Sequence, residues 1–172
     1  PTAHQQGLLP LAASLGYQLT TMAMRFRGSS WLRQRIICST LSGRTIAIKD
    51  IRAKDEKPGL LDYEVSLLRL VEKVTNGCKI EIDFTGTSVY YKPGIVIGGK
   101  IEHDCGTERG IGYFLEVLAA LAPFGKEVLK ATLKGVTNHS NNLDASADMF
   151  QHVTVPNLKH FGIEEGVSVK VV

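Results

Sequence analysis

The sequence predicts a two-layer α/β fold made of tandem β-α-β-α-β-β repeat units, the second of which is incomplete. One observation behind this is that segments with apolar residues at every second position alternate with segments of helical periodicity. Another is that the series starts again in the second half of the chain, with glycines ending corresponding helices: Gly43 and Gly77, then Gly125 and Gly162. We therefore predict a disordered leader over residues 1–23, a first unit over residues 24–94 and a truncated second unit over residues 95–172.

The first unit opens with a short strand over residues 24–27. Serines follow at Ser29 and Ser30, where a side chain can cap a helix N-terminus, and the next helix is predicted over residues 31–41. Its inward positions are apolar: Leu32, Ile36, Ile37 and Leu41. A strand over residues 45–51 then buries Ile46 and Ile48, because these two alternate with polar or small residues.

The rest of the first unit is a helix and a hairpin. The helix is predicted over residues 60–74, ending at Asn76 and Gly77, with one apolar stripe: Leu60, Tyr63, Leu67, Leu70, Val71 and Val74. The hairpin pairs residues 79–84 with residues 89–91 around a threonine–glycine turn. Its inward residues are predicted to be Ile80, Ile82 and Phe84.

The second unit repeats this order but stops early. It contains a strand over residues 100–103, a helix over 109–124, a strand over 129–134, a polar loop over 138–142, and a helical run broken at Pro156. A final strand is predicted over residues 167–171. A sheet without its last strand leaves an unpaired edge, so we expect the chain to belong to a longer protein and a 1–172 fragment to be less soluble than a longer one.

Composition limits the function classes. The chain has 172 residues, is 44% hydrophobic and contains no apolar run near the roughly 20 residues that span a bilayer. Its three cysteines are an odd number in unrelated contexts, which favours a reducing compartment, and they show no zinc-type spacing, so no metal is predicted. No cofactor is predicted either. The net charge of +3 is uneven, since residues 25–57 carry nine Lys/Arg and three Asp/Glu. This asymmetry points to an anionic partner.

The basic residues gather around the turn formed by Pro58 and Gly59. Two helix N-termini should converge at this edge of the sheet, where free N–H groups and the helix dipole favour anions. The predicted anion-binding residues are Arg27, Arg33, Arg35, Arg52, Lys54 and Lys57. If they bind phosphate, Arg52→Ala should weaken binding of the anionic partner and flatten its salt dependence. An ordinary solvated loop is the alternative.

Four other features carry weaker signals. The run His103, Asp104 and Cys105 combines three ligand types, but neighbours on a strand face opposite ways, so a shared metal is not expected and Cys105 is predicted to be structural. A Gly-Ile-Gly sequence at residues 110–112 lacks the third glycine of a dinucleotide loop. Trp31 is predicted to lie in the core or an interface, with base stacking as the alternative. The polar loop over residues 138–142 is predicted to be solvated.

Several short motifs together resemble the RNA 3′-terminal phosphate cyclase family, most closely its eukaryotic cyclase-like branch. They are Leu32-Arg33, Leu41-Ser42-Gly43-Arg44, Ile51-Arg52-Ala53, Lys57-Pro58-Gly59-Leu60-Leu61, Val74-Thr75-Asn76-Gly77, Thr85-Gly86-Thr87, Tyr91-Lys92-Pro93-Gly94, Gly98-Gly99, Leu121-Ala122-Pro123-Phe124 and Lys134-Gly135-Val136-Thr137. The resemblance covers about residues 26–172. It implies β-α-β-α-β-β units with two helices on a four-stranded sheet, and it implies that Arg33 and Arg52 lie near a phosphate site. The expected anionic partner of the basic residues is then RNA or the assembly complex.

The sequence departs from the active enzymes of that family at positions that the resemblance assigns to metal and nucleotide. Their glutamate is Phe26 here, their glycine run is Arg27-Gly28-Ser29, their first glutamine is Ser30, and a helical glutamine falls at Leu115. Asp104-Cys105-Gly106-Thr107-Glu108 replaces a Gly/Ser-rich stretch, and the adenylated histidine would lie downstream of Val172. We therefore predict no catalytic residues and no covalent nucleotidyl intermediate in this chain.

The cyclase-like branch implies a role in nucleolar pre-rRNA processing and assembly of the small ribosomal subunit. The implied partners are the pre-ribosomal particle (the small-subunit processome), an assembly GTPase, and pre-rRNA or a guide snoRNA, and the implied location is the nucleus and nucleolus. The alternative is an ATP-dependent cyclase that forms 2′,3′-cyclic phosphate ends on RNA. A small-molecule α/β enzyme is a third reading, for which the sequence offers no supporting constellation.

Overall fold

The structure, a computed structural model, describes residues 23–138, 143–163 and 166–171. The predicted mixed α/β class is confirmed. The leader up to residue 22 and residues 139–142 of the predicted polar loop lie outside the described residues. The division of the chain into two units after residue 94 stays a prediction.

Residues 24–92 form a four-stranded sheet with two helices. The strands are β1 (Met24–Arg27), β2 (Ile46–Lys49), β4 (Lys79–Ile82) and β5 (Val89–Lys92), and their spatial order is β1-β2-β5-β4. Helix α1 (Leu32–Ser42) connects the parallel pair β1 and β2, and α2 (Asp62–Val74) follows β2. The remaining pairs in this sheet are antiparallel.

The second part of the chain contains a smaller parallel sheet. The two-residue strands β3 (Thr75–Asn76) and β6 (Ile95–Val96) pair with each other. Strand β7 (Gly99–Asp104) runs parallel to β8 (Leu129–Lys134), and between them lie α3 (Gly112–Leu121) and a 3₁₀ turn at Ala122–Phe124. Residues 147–161 form a chain of short helical, π and 3₁₀ turns, as expected for a helical run interrupted near Pro156.

One hydrophobic core joins both parts. Ile46, Ile48, Val89 and Tyr91 are buried on the side of the first sheet that the helices cover, while the residues between them are more exposed. The same cluster of buried side chains continues into β7 and α3 through Ile101 and Phe114. Helix α2 packs against β7, so the polar side of α2 is partly covered.

The ends of the helices differ from the prediction. No serine caps α1, whose N-cap is Trp31 in the left-handed conformation at φ 60°. Trp31 is 72% exposed, so the core half of its prediction is wrong, while a place in an interface stays a prediction. Leu41 is exposed because the last inward position of α1 is held by Thr40, whose hydroxyl lies 2.8 Å from the hydroxyl of Tyr91. Helix α2 begins at Asp62 and ends at Val74, since the next two residues leave it to form β3.

Two strand predictions are also wrong. Phe84 does not point inward: β4 ends at Ile82, and the Asp83 carboxylate accepts a hydrogen bond from the Ser88 backbone at 2.7 Å, which starts a turn with Phe84 fully exposed. Residues 166–171 form no strand despite their alternating valines, because a strand exists only where its backbone pairs with a neighbour. Within the described residues, no helix is both long and apolar enough to cross a membrane.

Candidate anion-binding site

The predicted basic residues lie around the edge where β1 and β2 end. These strands are parallel, so the loops leading into α1 and α2 start from the same edge of the sheet. The loops hold three non-glycine residues in the left-handed region: Trp31, Asp50 and Arg52, at φ 60°, 58° and 45°. Such conformations carry local strain and persist only where the surroundings hold them.

Arg52 is fixed by a carboxylate. Its Nη1 and Nη2 atoms donate to the two Glu64 oxygens at 2.7 and 2.8 Å, and Nη1 also donates to the Gly59 carbonyl at 3.1 Å. Glu64 is buried in the first turn of α2 and also accepts a hydrogen bond from the Leu61 backbone N–H at 2.9 Å. The hydrogen bond to Glu64 raises the pKa of Arg52. Arg52 therefore closes the loop onto α2.

Arg33 and Arg109 form a second group around Tyr113 of α3. The Arg33 guanidinium pairs with Glu116 and lies 4.7 Å from the centre of the Tyr113 ring. The Arg109 guanidinium lies 4.6 Å from the same ring. Arg109 is held by Asp144, to which its Nε and Nη2 atoms donate at 2.7 and 2.5 Å, and this pairing raises the pKa of Arg109.

The remaining four predicted residues belong to neither group, and all of them except Arg35 are exposed. Arg27 forms a solvent-exposed ion pair with Asp50 at 3.4 Å. Arg35 donates to the Gly28 carbonyl at 2.9 Å and lies 4.8 Å above the Phe26 ring. Lys54 and Lys57 are exposed and make no ion pair with any residue that the structure describes.

The structure thus separates the six predicted residues. Arg33 and Arg52 join a charge-balanced set with Arg109, whose three guanidinium groups face three carboxylates: Glu116, Glu64 and Asp144. The other four do not belong to this set. Anion binding by the six stays a prediction. For Arg52 it would require the phosphate to compete with a buried carboxylate that already uses both arms of the guanidinium fork.

Sequence reasoning missed Arg109, Tyr113 and Asp144. No local spacing could pair Arg109 with Asp144, since 35 positions separate them. Glu64 could have been found, because it is the third residue of α2 and bonds back to the N-cap backbone as in a capping box.

The positions that the family resemblance assigns to metal and nucleotide do not suit those ligands here. Phe26 is half-buried with Arg35 above its ring, and a phenyl group offers no lone pair to a cation. Ser30 is exposed, while Leu115 packs against the hydrophobic core. The residues present therefore do not fit a nucleotide–metal complex of the enzyme type, and no chemical step can be assigned to one.

The weaker sequence signals have structural explanations. His103 and Cys105 point into the core while Asp104 points to solvent, as alternation along β7 requires. Burial raises the pKa of the Cys105 thiol to about 12, which fits the predicted structural role. Gly112 is required by packing, since a Cβ there would lie 1.9 Å from the Ala145 carbonyl oxygen.

A groove of about 520 Å³ runs between α2 and β7. It is lined by Asp62, Val65, Ser66, Arg69, Lys73, His103 and Asp104. The His103 Nε2 atom lies 3.0 Å from the Ser66 hydroxyl. Burial, together with the charge of Lys73, lowers the pKa of His103.

These features define a mixed α/β protein with arginines at the helix N-termini and an apolar residue where a metal-binding carboxylate would stand. Residues 24–172 match the RNA 3′-terminal phosphate cyclase family, and the chain belongs to this family. The chain is 57% identical over 150 residues to the probable RNA 3′-terminal phosphate cyclase-like protein of Dictyostelium discoideum, with 87% of this chain and 40% of the relative covered.

Two further relatives carry related names. The chain is 50% identical over 151 residues to the human RNA 3′-terminal phosphate cyclase-like protein, covering 87% of this chain and 40% of the relative. It is 46% identical over 140 residues to the rRNA processing protein RCL1 of Saccharomyces cerevisiae, covering 81% of this chain and 38% of that protein. The chain therefore spans about two fifths of the length of these relatives.

Proposed function

We propose that this chain is part of a cyclase-like protein that takes part in rRNA processing and does not itself form cyclic phosphate ends. The observation that carries the non-catalytic part is Phe26, an apolar ring beneath Arg35 at the position where the resemblance implies a carboxylate. The name of the yeast relative, an rRNA processing protein, supports the cellular role.

The finer proposal is that the protein acts in the nucleolus, in the small-subunit processome, together with an assembly GTPase and with pre-rRNA or a guide snoRNA. Two features of this chain suit a binding component. Carboxylate-paired arginines hold the helix N-termini in place, and the surrounding loops expose unpaired lysines at Lys54 and Lys57. A rigid frame with exposed cations can bind an anionic partner without any chemistry.

A chimera tests the cellular role. In yeast depleted of the rRNA processing protein RCL1, the segment of that protein matching this chain is replaced by residues 24–172, and pre-rRNA intermediates are followed by Northern hybridisation. We expect small-subunit precursors to be processed as with the unaltered yeast protein. Accumulation of unprocessed precursor, with the chimera present at the normal level, would contradict the proposal.

Nucleotide binding separates this proposal from the cyclase alternative. Titration of the 172-residue chain with Mg-ATP in a calorimeter should show no saturable heat, because Phe26, Ser30 and Leu115 replace the polar groups that the enzymes use. A Phe26→Glu variant is the matched comparison, since it restores a carboxylate at one of these positions. Saturable binding of ATP by the unaltered chain would favour the cyclase.

A further inference from the structure

The side of the first sheet that faces away from α1 and α2 carries most of the unpaired positive charge on this sheet. Residues alternate along each strand, so the partners of the buried Ile46, Ile48, Val89 and Tyr91 point to the opposite side. The strand pairing places eight residues there, which we call the outer face: Arg25, Arg27, Ala47, Lys49, Lys79, Glu81, Tyr90 and Lys92.

The outer face has five cations and one carboxylate. Two cations have partners: Lys79 pairs with Glu81 at 2.6 Å, and Arg27 pairs with Asp50 in the following loop. Arg25, Lys49 and Lys92 are exposed and form no ion pair with any residue in the described ranges. This differs from the helix N-termini, where Arg33, Arg52 and Arg109 each face a carboxylate.

A tyrosine lies among these cations. In one row across the sheet, Arg25 pairs with Ala47, Ala47 with Tyr90 and Tyr90 with Glu81. Tyr90 is half-buried, and its neighbour on β2 is the small Ala47. Strands lie about 4.8 Å apart, so the backbones of Arg25 and Tyr90 are roughly 10 Å from each other. Lys92 follows on the same strand as Tyr90.

The second sheet provides an internal comparison. The exposed, alternating positions of β7 and β8 are Lys100, Glu102, Asp104, Lys130, Thr132 and Lys134. Three cations there stand beside two carboxylates, and no aromatic residue is among them. The combination of unpaired cations with an aromatic side chain therefore belongs to the first sheet.

We infer that the outer face of the first sheet binds single-stranded RNA. Arg25, Lys49 and Lys92 would contact phosphates, and Tyr90 would stack on a base. Phosphate contacts and stacking on aromatic side chains are how sheet surfaces bind single strands. An acidic polypeptide would match the charge but would leave the tyrosine ring without a role. The inference rests on the proposed function only in taking RNA as the ligand.

The test compares two triple variants of the 172-residue chain. Arg25→Gln/Lys49→Gln/Lys92→Gln removes three charges from the outer face, and Lys100→Gln/Lys130→Gln/Lys134→Gln removes three from the second sheet. Binding of fluorescein-labelled oligouridylate is followed by fluorescence anisotropy over a range of salt concentrations. Each single-strand phosphate contact contributes about 0.7 to the slope of log affinity against log salt concentration, so the outer-face variant should flatten this slope by about 2. The second-sheet variant should leave the slope unchanged.

The tyrosine is tested separately. Tyr90→Leu keeps apolar bulk but removes the ring and should weaken binding by at least about fivefold, the lower end of base-stacking effects. Tyr90→Phe should keep the affinity. Thermal unfolding of each variant, followed by circular dichroism, shows whether the fold is retained. Affinities are then compared under conditions where the variants have equal folded fractions, so that a loss of stability is not mistaken for a loss of binding.

Several results would overturn the inference. Equal flattening by the two triple variants would mean that net charge alone determines binding. Competition by polyglutamate as strong as by unlabelled oligouridylate would point to an acidic polypeptide. This assay needs no ribosome assembly, so it can fail independently of the yeast chimera. If the chimera processes rRNA and the outer-face triple variant still binds oligouridylate normally, the inference is refuted while the proposed function stands.

Discussion

At the scale of single residues, the pairing of Arg52 with Glu64 determines how the loop between β2 and α2 is held. The Glu64 side chain is 4% exposed and that of Arg52 is 17% exposed, so the pair is largely removed from water. Arg52 also adopts φ 45°, a conformation that an L-residue keeps only under constraint. Phosphate binding by Arg52 stays a prediction, and its observed contacts also give it a structural role.

Arg52→Ala should therefore lower the free energy of unfolding by about 3 kcal/mol, the lower end of the range for breaking a buried pair, because Arg52 keeps some solvent contact. Urea unfolding measures this. Arg27→Ala is the matched control: its pair with Asp50 is 88% and 60% exposed, so the loss should be at most about 1 kcal/mol. Equal losses for the two variants would refute the structural role.

His103 makes stability depend on pH. Burial and the charge of Lys73 lower its pKa below the ordinary 6.5, so the folded state resists protonation. The unfolded state then binds more protons as pH falls below about 6.5, and the free energy of unfolding decreases there. We expect His103→Gln, which can keep a hydrogen bond to Ser66, to show a weaker decrease between about pH 7 and pH 5. Identical pH dependence of the two proteins by urea unfolding would contradict this.

At the scale of elements, the start of α3 is tied to the segment before the short helix Ala147–Met149. The Asp144 carboxylate accepts from Arg109 and from the Gly110 backbone N–H at 3.2 Å. The backbone of Gly112 lies against Ala145 so closely that no side chain fits between them. Gly112, one of the two glycines that suggested a dinucleotide loop, thus allows two backbones to touch.

Gly112→Ala should lower the free energy of unfolding by about 1–3 kcal/mol or more, because the added methyl group must push two backbone segments apart. Thermal and urea unfolding measure the loss. Gly125→Ala makes a suitable comparison, since its nearest backbone atoms lie 3.2 Å from the added carbon and only a small adjustment is needed. A Gly112→Ala protein as stable as the Gly125→Ala protein would show that this packing is not required.

At the scale of the whole molecule, the two parts of the chain share one core and several polar contacts. Arg33 of α1 reaches Glu116 of α3, Ser66 of α2 contacts His103 of β7, and Lys73 donates to the Glu102 carbonyl at 2.6 Å. Each contact connects residues on the two sides of the predicted boundary after residue 94.

We therefore expect residues 24–134 to unfold as one cooperative unit. Native-state hydrogen exchange with increasing denaturant should give the same opening free energy for peptides covering β2 and β7, because neither sheet keeps its core when the other is lost. Peptides covering residues 166–171, which are mostly exposed, provide the contrast and should exchange at much lower free energy. A clear difference between β2 and β7 would mean that the two parts open independently.

The sequence by itself determined the features that depend on local periodicity and backbone chemistry. It predicted strands where the structure has Met24–Arg27, Ile46–Lys49 and Leu129–Lys134, and it predicted the helix stripe of α2. It also predicted the end of α1 at Gly43 and the turn at Gly59, and both glycines are left-handed. These succeed because alternation, the helical repeat and the φ freedom of glycine act within a few residues. The family resemblance rests on the same local motifs.

Only the tertiary structure decided which charges are available. Arg52 and Lys54 look alike in the sequence, yet one faces a buried carboxylate and the other lies in solvent. The partners of Arg33 and Arg109 come from α3 and from the segment after residue 142, and the exposure of Trp31, Leu41 and Phe84 depends on which surfaces the other elements cover. Pairing and burial arise between residues distant in sequence, which no local pattern contains, because packing brings them together only when the whole chain folds.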